Sequence, residues 1–389
     1  MLLRQVLLNE DQKFCSISNF CCGHQYISHS GRQSAPVNPD NSDRNSQAAE
    51  QSKEFQGNTN SLYCLECVTV FDYVISPENL ENAEEKRFLA DDKYLTLLGF
   101  TENPRLYPAA IWKNTSLPII VTYVSVVLDG DEQQGIGFAR NVAHFLPNHT
   151  TLIYNLGLGQ YELQMLQSHC NSSRCSVVNF ELSFFPSHVE EERLHAFRPL
   201  IIQDALNKAG AALFLESDQR LVTGHLKPLI RQALGGAGVV SWATHYATSS
   251  LTHPKMFDYF HTNAESFLFL PMVEATMLLF YNLPGVHNGL MLPWVQCALT
   301  QDCVLPVGAQ SGGCRFNKKP QYRYSGCHGY DGSALNIVLG LKFGFDERQY
   351  TYRGHEKFFR KVGPDVVAAE MAGLDGNATE STVMTRDGI

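Results

Sequence analysis

From residue 117 to about residue 245 the chain alternates between short apolar runs and longer stretches whose apolar residues recur at helical spacing. LPIIVTYVSVVL (117–128), TTLIYNLGL (150–158), SVVNFEL (176–182) and GVVSWAT (238–244) read as strands, rich in β-branched and aromatic residues. GIGFARNVAHFL (135–146), YELQMLQSH (161–169) and LKPLIRQALGG (226–236) read as the helices between them. The densest instance is FRPLIIQDALNKAGAALFLESDQRL (197–221). Its Leu200, Ile201, Ala205 and Leu206 follow helical spacing, and Ala211 to Leu215 form a continuously apolar strand, as expected of one covered on both faces. Strands separated by helices need right-handed crossovers, so the pattern predicts a doubly wound, mostly parallel α/β sheet. Beyond residue 245 the alternation loosens. FLPMVEATMLLFYN (269–282), PWVQCAL (293–299) and HGYDGSALNIVLGL (328–341) are core-grade segments joined by long, cysteine-bearing loops, so the C-terminal half is expected to be irregular.

The ends of the chain differ from this. Residues 24–61 are rich in Ser, Asn, Gln, Asp and Gly, and the stretch from Gly363 is similarly poor in large apolar residues. The expected organisation is a disordered, stem-like segment over 1–61, a short helical lead-in over 62–107, the α/β domain over 108–362 and a loose tail over 363–389. A formal net charge of −9 over 389 residues argues against nucleic acid or an anionic membrane surface as partner. No apolar stretch approaches the roughly 18 residues of a membrane span, and the apolar patch in MLLRQVLLNEDQKF is broken at Arg4 and Gln5. Membrane attachment would therefore come only through an N-terminal anchor not present in this chain, and a cytoplasmic location follows if the N-terminus is complete as given.

The eleven cysteines bear on this choice. Cys170/Cys175, Cys297/Cys303 and Cys314/Cys327 are locally spaced pairs in polar, loop-like sequence, the pattern of disulfides in a secretory-pathway protein; ordinary reduced cysteines are the alternative. Cys15, Cys21, Cys22, Cys64 and Cys67 lie early, and Cys64-x-x-Cys67 has no second pair to complete a zinc site. Sequons at Asn114, Asn148, Asn171 and Asn377 are compatible with a lumenal location.

Chemistry is expected where the strand Ala211 to Leu215 ends. Ligands of open α/β sheets bind outside the carboxyl ends of the strands, so Glu216 and Asp218 are placed to hold a divalent cation and, through it, a diphosphate. A bland reading makes them the start of a solvated loop. Arg198 is free to pair with Asp204 or Glu192, and Asp331 to cap the helix that follows it. Glu274, between apolar neighbours, is either a buried acid with a partner or a functional one. Tyr322 and Tyr324, in a polar loop, offer rings for packing or for stacking on a ligand.

PIIVT (118–122), TLIYNLGL (151–158), FRPLIIQDAL with FLESDQR (214–220), MVEATMLLFYN (272–282) and CHGYDGSALNIVL (327–339), in that order, resemble nucleotide-sugar glycosyltransferases of the GT-A fold. In particular the chain resembles an animal family of unknown function that looks like a branch of this group. The likeness spans about residues 95–355. It implies a GT-A-like sheet, a nucleoside diphosphate sugar as donor, a glycan or glycoprotein as acceptor, and residence in the Golgi or the secretory lumen. It also implies Mn²⁺ or Mg²⁺ at Glu216, Asp218 and His328, phosphate contact by Arg198, nucleoside recognition near Asn155, and Glu274 or Asp331 as catalytic acids. Three departures stand out: Glu216 replaces the usual Asp, Gly332 stands where many relatives have Gln, and Asn155 ends a strand where a carboxylate is commoner.

Overall fold

Strand β1 (Ile119–Val124) is buried at all six positions, and its side chains divide between two cores. Ile119, Val121 and Tyr123 pack on one face of the sheet; Ile120 and Val124 pack on the other. A strand with a helical layer on each side has no polar face, which is why its sequence shows no alternation. The computed structural model describes residues 86–101, 117–125, 131–317 and 319–383, with side chains as far as residue 373. All of these belong to a compact unit spanning Asn82–Ile389. The stem-like segment, the five early cysteines and Asn114 lie outside the described residues, as does the side chain of Asn377.

Within the described part of the lead-in, a short helix, α1 (Asp92–Leu97), begins at Asp91, whose carboxylate accepts from the Lys93 N–H. Helix α2 (Asp131–Phe145) then connects β1 to β2 (Thr151–Asn155), and α3 (Gln160–His169) connects β2 to β3 (Cys175–Asn179). Three 3₁₀ turns follow between Leu182 and Leu194, and α4 (Phe197–Ala209) returns the chain to the far side of β1, where β4 (Ala211–Leu215) pairs in parallel. Gly210 makes this return tight: its φ of 72° is the left-handed geometry that ends a helix, and glycine adopts it without a Cβ clash. Beyond β4 come β5 (Gln219–Leu221), α5 (Lys227–Leu234), β6 (Val239–Val240), β7 (Ala243–Ala247), α6 (Pro254–Tyr259), β8 (Pro271–Val273) and β9 (Met277–Tyr281). Last come α7 (Leu292–Leu299), α8 (Asp331–Lys342), β10 (Phe359–Lys361) and α9 (Pro364–Val383).

The six-stranded sheet has the order β3-β2-β1-β4-β9-β6. Its first four strands are parallel and β9 runs antiparallel to both neighbours, so the α/β, mostly parallel expectation holds. Helices α4, α7 and α8 cover one face, with the fully buried Trp294 among them; α2 and α5 cover the other, and α3 joins α2 over β1 and β2.

Two expectations change. GVVSWAT is not one strand: Ser241 bonds to Tyr350 and Tyr352, and this bridge diverts the chain, leaving β6 in the main sheet and sending β7 to a ribbon with β8. The stretch after Gly363, expected as a loose tail, is helical over Pro364–Val383, and Glu370 reaches the fully buried Arg220 at 3.0 Å. That carboxylate is the partner an interior guanidinium needs.

Cys170–Cys175, Cys297–Cys303 and Cys314–Cys327 are disulfides, as their spacing suggested. Among the described residues, no helix is long and apolar enough to cross a membrane. Thiol titration of the denatured, unreduced protein should therefore find at most five of the eleven cysteines free. A count near eleven would contradict the pairing.

Candidate functional site

The strand order reverses between β1 and β4, which makes the carboxyl ends of these strands a topological switch point, where open α/β sheets bind ligands. A cavity of about 530 Å³ opens there, along the ends of β1, β2 and β3. Ser125, Asn155, Asn179 and Phe197 line it, and its rim carries Glu181, Glu190 and Glu192. Among the described residues that line it there is no lysine or arginine.

Asn155 shapes this wall. Its Oδ1 accepts from the N–H groups of Gly157 (3.1 Å) and Leu158 (2.8 Å), and its Nδ2 donates to Asn179 Oδ1 (2.9 Å). The turn leads through Gly157 at φ 139°, outside the range of other residues. On the opposite side Ser125 donates its hydroxyl to Glu192 Oε1 (2.9 Å), and its N–H to Asp131 Oδ2 (3.0 Å). Burial pushes Asp131 up to about 6, against the pull of these Ser125 bonds, and raises Glu192 as well.

Behind the crevice lies a buried charge cluster. Arg198, in the first turn of α4, donates from Nη1 to Asp331 Oδ2 (2.6 Å) and from Nη2 to Glu216 Oε1 (2.8 Å). A cation at a helix N-terminus opposes the helix dipole, so the two carboxylates offset both that repulsion and the loss of water. Burial works against the Arg198 charge, but Asp331 and Glu216 outweigh it and hold the guanidinium above its ordinary range. Burial likewise raises Asp331 against the pull of Arg198. At this separation the stronger base keeps the proton, and we treat the contact as an ion pair. Tyr123 on β1 completes the cluster; its phenol is pushed far up by burial and then by the charge of Glu216.

The sequence left Arg198 open to pairing with Asp204 or Glu192. Instead Asp204 pairs with Lys208 and accepts from Tyr154, while Glu192 is held by Ser125. Asp331 is not the helix cap. Tyr330 occupies that position at φ 48°, a left-handed backbone costing a non-glycine residue about 1–3 kcal/mol, and Asp331 opens α8. The Trp294 indole fixes the turn by donating to the Asp331 carbonyl (2.9 Å).

Glu274, between apolar neighbours, was expected to be either a buried acid with a partner or a functional residue. It is exposed, because it stands just past the end of β8, where its N–H bonds to the Trp242 carbonyl. Asp218 pairs with Lys361 at 2.9 Å rather than with Arg198. Lys361 escaped the sequence reading because it sits just before the apparent tail; the two aromatics and two bases of Phe358–Lys361 are the only signal. Ser125 and Asp131 were also missed, although an acid opening a helix just after a buried strand was a visible cue.

The cation site implied at Glu216, Asp218 and His328 does not assemble. Glu216 is held by Arg198 and Asp218 by Lys361, while buried His328 accepts the His253 N–H at Nδ1 and turns Nε2 to the Val304 carbonyl. Among the described residues no three His, Cys, Asp or Glu side chains converge as metal ligands.

A second cavity of about 470 Å³ lies at the β7–β8 ribbon and is lined by Tyr246, Phe269, Phe316, Gln321 and Tyr322. Tyr246 and Phe316 stack at 4.4 Å, and Phe269 meets Tyr322 edge-on at 5.6 Å. Tyr324 instead faces His253, and Trp242 packs on Phe359.

Neither a family model nor a curated protein sequence matches the chain. Among solved structures, it is similar to the bifunctional glycosyltransferase WbbM at 11% identity and a TM-score of 0.39, covering 61% of this chain and 38% of that one. It is also similar to mouse xyloside xylosyltransferase 1 (9%, TM-score 0.36, covering 60% of this chain and 84% of that one). GlyE of Streptococcus pneumoniae TIGR4 gives 12% and a TM-score of 0.34, covering 61% of this chain and 46% of that one. The likeness is to GT-A glycosyltransferases, and it is distant. At such values it carries no argument about chemistry, which rests on the geometry above.

Replacing Arg198 with Ala should strand two carboxylates in the interior and destabilise the fold by about 3–5 kcal/mol, read from urea denaturation. Arg198→Lys, which cannot span both partners, should recover part of this.

The pH dependence has a definite sign. Burial lowers His328 from 6.5 to about 3, so its contribution to stability is present above 6.5 and is lost as the pH falls toward 3. Asp131, raised from 3.8 to about 6, acts oppositely and favours the folded state as the pH drops through 6. Between about pH 7 and pH 5, His328→Asn should therefore lose roughly 2 kcal/mol less stability than the wild type.

Proposed function

We propose that this protein is a glycosyltransferase that moves a sugar from a nucleoside diphosphate donor to a glycan or glycoprotein acceptor. The observation that carries the reading is the cavity of about 530 Å³ at the switch point, with charged side chains of β4 and α8 behind it. In this reading the nucleoside lies against Phe197 and the Asn155–Asn179 wall, and the diphosphate points toward the exit of β4. The acceptor sugar packs on the aromatic cleft of exposed Phe269 and half-buried Tyr246 and Tyr322, whose rings suit the apolar face of a pyranose.

Glu274 is the residue we assign to the acceptor. It is exposed on the segment that follows β8, and so is free to accept a proton. The bond from the anomeric carbon to the phosphate oxygen breaks, its electron pair leaving with the diphosphate. The acceptor oxygen bonds to that carbon, and its proton passes to the Glu274 carboxylate. Asp331 is a positioning residue in this scheme, because Arg198 holds it in the interior. Three disulfides support a secretory-lumen location.

One observation favours a second reading, a non-catalytic binding or scaffold module on the same fold: Glu216 and Asp331 are both spent on Arg198. Thermal-shift measurements with UDP, GDP, CDP and ADP, with and without Mn²⁺, followed by assays of the matching sugar nucleotides, separate the two. A glycosyltransferase should be stabilised by at least one diphosphate and consume its sugar nucleotide, and Glu274→Gln should keep the shift while losing about 100-fold or more in turnover. Binding without turnover of any donor supports the module. No shift with any nucleotide in either condition removes the donor reading altogether.

A further inference from the structure

The carboxylates expected to hold a metal are arranged around a lysine. Lys361 ends β10, which pairs antiparallel with β5 so that Lys361 lies opposite Gln219. The Val362 N–H donates to the Asp218 carbonyl (2.9 Å), and Lys361 Nζ meets Asp218 Oδ2, also at 2.9 Å. The Glu216 N–H donates to the Thr276 carbonyl (3.0 Å), which brings the segment carrying Glu274 against the same corner. The charges of Asp218, Glu216 and Glu274 all act on the ammonium, with the Asp218 hydrogen bond first, and keep it protonated.

Arg198 cannot serve a diphosphate from where it lies: both its terminal nitrogens are engaged and its side chain is 5% exposed. Lys361 differs in every respect. Its side chain is 73% exposed, its single partner Asp218 is 24% exposed, and a flexible stem lets the ammonium leave one anion for another. An ion pair exposed at its cation costs less to exchange than one buried at both ends.

We propose that Lys361 is the cation of the donor site, taking the place of a divalent metal by leaving Asp218 and bonding the diphosphate of the donor. This rests on the glycosyltransferase reading above. An ammonium offers three N–H donors to the phosphate oxygens and offsets the charge that develops as the sugar departs. Asp218 then parks the lysine between turnovers, and Glu216, fixed by Arg198, is no metal ligand.

Isothermal titration of the full chain with UDP, GDP, CDP and ADP, and with uridine as control if UDP is the binder, tests this in EDTA and again in Mn²⁺. The expected result is nucleotide binding that survives EDTA and weakens about tenfold or more in Lys361→Ala. Nucleoside binding should be unchanged in that variant, and Lys361→Arg should restore most of the affinity for the diphosphate. Because Lys361 is exposed, the variant should melt with the wild type. Binding that requires Mn²⁺ and ignores Lys361→Ala overturns the proposal while leaving the glycosyltransferase reading intact. Failure of every nucleotide to bind in both media removes the two together.

Discussion

Arg198 ties together three elements that the chain order keeps apart. It stands in α4, and its two carboxylate partners open α8 and leave β4, so the sheet exit, the helix before it and a helix far downstream share one buried contact. A buried ion cluster contributes little net stability over an apolar replacement, because desolvation offsets most of the attraction. What it supplies is a penalty for any arrangement that separates the partners. The geometry of the crevice wall follows, since Phe197 neighbours Arg198 in the chain and lines the cavity. Tyr330 accepts a left-handed backbone in the same neighbourhood, where Asp331 and the Trp294 indole over-determine it.

The same contact divides the charges of the site into two classes. Those behind the crevice are paired in the interior and fixed; those near the exit of β4, Asp218, Lys361 and Glu274, are at least partly in water. Chemistry on an anionic donor needs the second class, because a charge already neutralised in the core has nothing left to offer. In the glycosyltransferase reading proposed above, the acidic rim of Glu181, Glu190 and Glu192 suits a neutral nucleoside better than a diphosphate, which leaves the exit of β4 for the phosphates.

The parallel half of the sheet was legible because burial on both faces leaves apolar runs that no other element explains: β1, β2 and β4 stand within the stretches their sequences marked. What stayed hidden depends on partners distant in sequence. GVVSWAT is split by a bridge to Tyr350–Tyr352, and Arg198 finds Asp331 across 133 positions. No local pattern encodes either pairing. The exposure of Glu274 was hidden for a related reason, since apolar neighbours on both sides leave burial open when a strand in fact ends between them. The disulfides were readable because each closes a short loop, the longest spanning 13 positions.

The pairing of β10 with β5 has a consequence for how the molecule comes into being. The residues that line the crevice all precede β4 in the chain, whereas Lys361 comes after every strand of the main sheet. Its strand must travel back to dock beside the exit of β4, and long-range pairings of this kind close late in folding. Until they do, the nascent domain presents the acidic rim of Glu181, Glu190 and Glu192 without that lysine, and under the donor reading proposed above the capture of phosphate waits on this late pairing.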